Sequence, residues 1–330
     1  MHNNMQNAWK TDRFTKMRKI LYTLILLYTL HFTLLHPAFK DTGWGARPAG
    51  MGGAFTAVSD DATGILFNPA GLAQLKQIEL DFMYAKLYTG LDTVDLGLNY
   101  AAVVYPLKNI GSFGLSWANF ISADQYREDT ITLAYANSIK RLSPELLFGL
   151  NMKYLRHSYT LDDRTVDDPV FAQGNARSNI TADLGLWSRP IPKRLPGLSI
   201  GLLVRNITQP DVGLKTRDTV PAEIRIGGAY KINRFKSMNN ILFALDITGR
   251  NQEWGSTEDK LNLHLGTEAW FVNEILGVRV GGNLTELSFG FGIKAPKKIK
   301  FDFQLDYALL WPLQIHETTG SHRVSLCIKH

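Results

Sequence analysis

Few side chains in this sequence sit at spacings that would support covalent chemistry. The run from Gly43 to Gly53 (GWGARPAGMGG) has the glycine content of a phosphate-cradling loop. It lacks GxGxxG spacing and carries no Gly-Lys-Ser/Thr, so its glycines read as points of close packing and not as a nucleotide site. The neighbouring carboxylates Asp60 and Asp61 have the chemistry of an acid pair or a cation site. Two acids alone lack the further oxygen ligands that calcium requires, so they are expected to flank a short helix and to meet lumen-facing arginine or lysine. Asp162, Asp163, Asp167 and Asp168 make an acidic loop, read as solvated. His264 and His322 stand alone, and no Ser-His-Asp or metal-type histidine spacing is present. The expectation is a chain with no catalytic residues, no metal and no cofactor, and therefore not an enzyme.

The elements that hold these residues follow from composition and pattern. The chain has 330 residues, 45% hydrophobic and 20% charged, with 28 glycines and one cysteine, Cys327. That excludes disorder, collagen, coiled coil and a disulfide framework. The net charge of +6 is concentrated at the N-terminus, where Lys10, Arg13, Lys16, Arg18 and Lys19 stand against Asp12. The remainder is close to neutral, which gives no footprint for nucleic acid. These cations precede the apolar run Ile20–Leu35 and then Ala38, the plan of a secretory signal peptide over residues 1–38, with Met17 as an alternative start. A retained N-terminal membrane anchor is the competing reading.

From Lys76 onward, apolar and polar residues alternate with period two. Leu261, Leu263 and Leu265 are set against Asn262 and His264, and Phe301, Phe303, Leu305 and Tyr307 against Asp302, Gln304 and Asp306. Such alternation places one chemistry on each face of a sheet. Fourteen strands are expected, near 77–88, 93–105, 111–120, 129–140, 146–159, 178–189, 197–207, 221–233, 240–249, 260–271, 275–283, 286–294, 299–310 and 321–330. Short links such as 106–109, 141–145 and 295–298 follow even-numbered strands, whereas the long ones, 160–177, 208–219 and 311–320, follow odd-numbered strands. A soluble barrel or sandwich would show the same alternation with its apolar face inward. The leader, the strand lengths and aromatics near strand ends (Tyr84, Tyr88, Tyr105, Trp117, Phe120, Tyr159, Trp187, Trp270, Phe271, Trp311) favour an all-β transmembrane antiparallel barrel over residues 76–330. Asp183, Glu223, Arg225, Lys231, Asp246, His264, Glu268, Asp302 and Asp306 would then face inward. Their mixed signs favour a plugged, mutually paired lumen, with Arg47 a natural partner for the carboxylates.

Between leader and barrel, residues 39–75 are dense in glycine and alanine, suited to packing inside a barrel, with a helical possibility around 54–64. This stretch carries Gly45-Ala46-Arg47, Gly50-Met51-Gly52-Gly53-Ala54-Phe55, Asp60-Asp61-Ala62 and Asn68-Pro69-Ala70-Gly71-Leu72. It resembles the N-terminal signature of the PorV/PorQ branch of FadL-like outer-membrane proteins, and Ser321–Leu326 resembles that family's last strand. The chain departs from the family by ending in His330 and not in an aromatic residue. The resemblance implies a fourteen-stranded barrel in the outer membrane of a Gram-negative (diderm) bacterium, with residues 39–75 as a hatch inside it. It implies binding or passage of hydrophobic small molecules such as fatty acids, with outer-membrane lipid around the barrel. Alternatively, it implies a PorV-like component of a type IX secretion pathway that binds exported proteins; an outer-membrane protein without a transport role is a third reading. Phe55, Leu66, Phe67 and Leu72 are the candidate apolar ligand contacts.

Overall fold

The structure is a computed structural model describing residues 38–39, 42–92, 95–123, 125–143, 145–163, 165–235, 238–250, 261–295, 301–315 and 317–330. The leader reading lies outside these residues except for Ala38. Fourteen strands are formed among the described residues: β1 (Glu79–Thr89), β2 (Leu96–Leu107), β3 (Gly111–Ser122), β4 (Tyr126–Ser138), β5 (Leu146–Tyr159), β6 (Ala176–Ser188), β7 (Leu198–Arg205), β8 (Glu223–Phe235), β9 (Met238–Arg250), β10 (Leu261–Phe271), β11 (Leu276–Asn283), β12 (Glu286–Lys294), β13 (Asp302–Pro312) and β14 (Gly320–Lys329). Each pairs antiparallel with its sequence neighbours. β1 closes the barrel on β14, with Glu79 opposite Lys329 and Met83 opposite Ser325. The expected strand count and order are borne out.

Period-two alternation decides what each face of this wall meets. On the outside lie Phe82, Ile131, Ile180, Ile226, Leu265 and Phe289, all exposed. On the inside, at alternate positions of the same strands, lie the buried Asp81, Thr132, Asp183, Arg225, Glu268 and Ser288. A water-soluble barrel would have the opposite arrangement. An apolar belt of this extent is stable against hydrocarbon and would drive association in water.

The longer links fall at one end of the barrel, at 160–175, 206–222 and 313–319, whereas the opposite end has turns such as 108–110 and 272–275. The nine-residue link 189–197 is the exception on the short-turn side. The pairing of β6 with β7 covers only Leu184–Ser188. Above it, the 206–222 link takes over the edge of β6, with Ile207 N donating to Ala182 O (3.1 Å) and Asn206 N to the Asp183 carboxylate (3.0 Å).

Two expectations need correction. Residues 54–63 are turns and irregular backbone, and the helical pieces are Ala46–Gly50, Gly64–Phe67 and the 3₁₀ helix Pro69–Gln74. Asp61 accepts from Thr63 N at 3.0 Å, a local bond that turns the chain there. Trp187, Trp270 and Phe120 do not join an outer aromatic belt: the two tryptophans are buried on the inner face, and Phe120 packs on the same face beside Trp44 and Leu66. The indole of Trp187 donates to Ala57 O at 2.7 Å, and the Trp270 ring has Lys294 Nζ 3.7 Å from its centroid.

Candidate functional site

Residues 42–75 pack against the inner wall, and the motif glycines show how closely. Gly52 has φ +65°, and a Cβ there would collide with the backbone of Gly282 and Leu265. At the other end of the segment, a Cβ on Gly149 of β5 would fall on the Ala70 nitrogen and the Pro69 carbonyl. Backbone lies on backbone at both places, which only glycine permits. The small-residue run is therefore a packing surface.

Asn68 fixes the Asn-Pro-Ala-Gly turn. Its side-chain amide donates to Thr56 O (3.0 Å) and Leu186 O (2.9 Å), while its oxygen accepts from Ala70 N (3.1 Å). Pro69 then starts the 3₁₀ helix at a position that needs no N–H donor. The wall also caps the segment's own backbone. Asp246 accepts from Phe55 N (3.0 Å) and Thr56 N (2.9 Å), Ser325 from Ala46 N (2.9 Å), and Asn151 donates to Ile65 O (2.8 Å). Buried peptide groups without regular secondary structure are thus paired by inward-facing strand side chains.

Arg47 is the electrostatic centre. Its Nε and Nη2 each lie 2.9 Å from the Glu268 carboxylate, and its Nη1 lies 2.6 Å from Asp60 and 2.7 Å from Asp61. Glu268 also takes Arg279 Nε at 2.7 Å, and Arg279 Nη1 lies 2.8 Å from Asp306. The acids Asp60 and Asp61 were expected to meet lumen-facing arginine or lysine; their partner is Arg47, in their own segment. Arg279 was missed by sequence reading, although its alternation in LGVRVGG places it inward. His264 and His322 are not isolated: His264 Nδ1 lies 2.8 Å from Gly52 O, and His322 Nδ1 lies 2.6 Å from Tyr307 Oη.

The four apolar candidates divide. Phe55, Phe67 and Leu72 are fully buried in packing. Phe55 and Phe67 meet edge-on at 5.5 Å, flanked by the guanidinium groups of Arg47 over Phe55 (5.2 Å) and Arg225 over Phe67 (5.8 Å). Leu66 is different, because it borders a cavity.

That cavity, about 100 Å³, lies toward the long-loop end, where Phe39, Trp44, Leu66 and Phe120 meet Lys153, Arg205 and Arg250. Its cations are paired: Lys153 with Asp183 (2.7 Å), and Arg205 and Arg250 with Glu223 (3.2 and 2.9 Å). A second cavity of about 500 Å³ lies toward the short-turn end, between Arg47 and Asp60 on the segment and Lys231, Leu242, Trp270 and Phe303 on the wall. The segment contributes a different set of residues to each. Among the described residues, no three His, Cys, Asp or Glu side chains are grouped to hold a metal ion.

The sequence matches no protein-family model and no curated protein. Solved structures share the fold. The CymD monoaromatic hydrocarbon channel aligns over 90% of this chain and 97% of its own, with 14% identity and a TM-score of 0.53. A Pseudomonas aeruginosa FadL homologue aligns over 84% and 95%, with 13% identity and a TM-score of 0.54. The Pseudomonas putida toluene transporter TodX aligns over 89% and 99%, with 14% identity and a TM-score of 0.51. The chain is a closed antiparallel barrel resembling the FadL/TodX outer-membrane barrels.

Proposed function

We propose that this protein is an outer-membrane channel of a diderm bacterium that takes up hydrophobic small molecules, with residues 39–75 as its hatch. The observation that carries the reading is the placement of this segment between two cavities at opposite ends of the lumen, one bordered by Trp44 and Leu66, the other by Arg47 and Asp60. The apolar exterior suits a bilayer, and the FadL-type fold supports the class. The N-terminal leader supports export, and we place its removal at residue 38. Leu66, Trp44 and Phe120 are the side chains that would meet an apolar ligand arriving from the long-loop end. Passage requires the segment to shift, because it fills the space between the cavities. No bond to the ligand is made or broken.

The test is uptake of hydrophobic probes, a fatty acid and toluene, by cells producing the intact chain or a chain lacking residues 42–75. Altered probe permeability supports the channel. Unchanged permeability together with loss of exported surface proteins would replace it with the secretion role that the PorV-type resemblance implies.

A further inference from the structure

The outer mouth holds a carboxylate whose partner is a backbone nitrogen. Glu128, on the inner face of β4, accepts at one oxygen from Tyr126 Oη (2.7 Å) and from Phe39 N (2.9 Å). No lysine or arginine among the described residues pairs with it. A half-buried carboxylate held by one hydroxyl and one amide donor still lacks a counter-charge.

The conformation of Phe39 points the same way. Its φ is +61°, the left-handed region that a side chain with a Cβ avoids because of the preceding carbonyl. As the first residue of a chain, Phe39 would have no preceding carbonyl and no such clash. The rest of the residue is well placed. Its ring meets His157 edge-on at 6.4 Å and lines the outer cavity beside Trp44 and Phe120.

We propose that leader removal between Ala38 and Phe39 creates the counter-ion of Glu128. Hydrolysis by a leader peptidase breaks the Ala38 C–Phe39 N bond. Water supplies the hydroxyl to the Ala38 carbonyl carbon and a proton to the nitrogen, and a second proton from solvent makes the ammonium. An α-amino group of ordinary pKa, roughly 8, is charged at neutral pH. The new ammonium sits against Glu128, converting an amide contact into a charge-assisted one. The mature N-terminus is then tied to β4. A few residues further on, the same strand of chain is tied to β14, where Arg323 donates to Gly43 O (2.8 Å) and Thr42 O (2.6 Å). Two anchors thus hold this end of the segment, and one of them gains its charge only on processing. This inference rests on the export and leader reading, and not on the identity of the transported molecule.

The test uses the intact chain, exported and purified in mild detergent. Intact mass and N-terminal sequencing should give Phe39 as the first residue. Reductive methylation of the α-amine at neutral pH should be about tenfold slower in the native protein than in Glu128→Gln, the scale expected for loss of a charge-assisted bond. Tyr126→Phe removes a hydroxyl but leaves the carboxylate, and should keep most of the protection; heat-modified migration on gels verifies folding of each. A Phe39 terminus methylated equally fast in native protein and Glu128→Gln would overturn the ion pair and leave the leader reading intact. A terminus anywhere else, or a retained leader, would overturn the inference, while probe uptake would still decide the channel.

Discussion

Arg47 and Glu268 face each other as a two-pronged ion pair, both N···O distances 2.9 Å, across 221 residues of sequence. Glu268 is 3% exposed and Arg279 closes on it from the other side. Geometry of this quality ties the luminal segment to β10 and β11 more firmly than a surface pair would. Removing the carboxylate leaves two guanidinium groups facing one another in a poorly solvated lumen. Glu268→Ala is therefore expected to cost about 3–5 kcal/mol and to raise permeability to hydrophobic dyes. Arg47→Lys should fall between native and Glu268→Ala, because a lysine cannot span both carboxylate oxygens and the Asp60–Asp61 pair together. Heat-modified migration as a function of temperature, with dye uptake in cells, measures both.

A close approach between segment and wall gives a second expectation. In Gly149→Ala the new Cβ lands on the Pro69–Ala70 peptide, which cannot rotate away as a side-chain tip would. A loss of about 1–3 kcal/mol is expected. Gly228→Ala, where a Cβ meets nothing within 4 Å, should stay within about 0.5 kcal/mol of the native barrel. Equal melting of the two variants would show that the 3₁₀ helix does not seat on β5.

The barrel was legible because alternation, strand length and link parity are local properties written in every hairpin. Leu261-Asn262-Leu263-His264 gives its inner and outer faces without any knowledge of what it pairs with. Long-range partners are not local. That Arg47 would meet an inward carboxylate followed from charge and position, but the choice of Glu268 depends on where the segment lies in the lumen. Asp60 and Asp61 were expected to meet lumen-facing arginine or lysine, but nothing in the sequence shows that the chain doubles back so that Arg47 is the one. Trp187 and Trp270 were read as interface residues from their place near strand ends, although β6 turns Trp187 toward Ala57. Glu128 was not singled out, because its partner is a backbone nitrogen and carries no signal in residue type.

Asn68 separates shape from charge. Asn68→Ala leaves the Thr56 and Leu186 carbonyls and the Ala70 N–H without their partner, expected to cost about 1–3 kcal/mol. Asn68→Asp conserves volume and still accepts from Ala70 N, but sets an anionic oxygen against two carbonyl oxygens. It should be the more destabilised of the two at neutral pH. Thermal melting of both variants in detergent verifies the order, and the reverse order would mean that the side chain fills space and its donors matter little.

The 206–222 link should be held most tightly in mildly acidic solution, because its two acids shift in opposite directions. Backbone N–H donors from Gly213 and Asp218, each 2.9 Å away, hold the Asp211 carboxyl below its ordinary value. Asp218 is pushed up by burial, with His157 opposing the shift. A depressed carboxyl contributes order that is present above its unfolded value and is lost as pH falls through the folded value. A raised carboxyl binds its proton more tightly when folded, so its contribution is present at low pH and is lost as pH rises through the folded value. Hydrogen exchange or limited proteolysis of residues 206–222 should therefore pass through a protection maximum, falling on the acid side through Asp211 and on the alkaline side through Asp218. Asp211→Asn keeps an acceptor for Gly213 and Asp218 and should remove the acid-side fall. Asp218→Asn should remove the alkaline one and keep Val212 and Val220 buried at the mouth as pH rises.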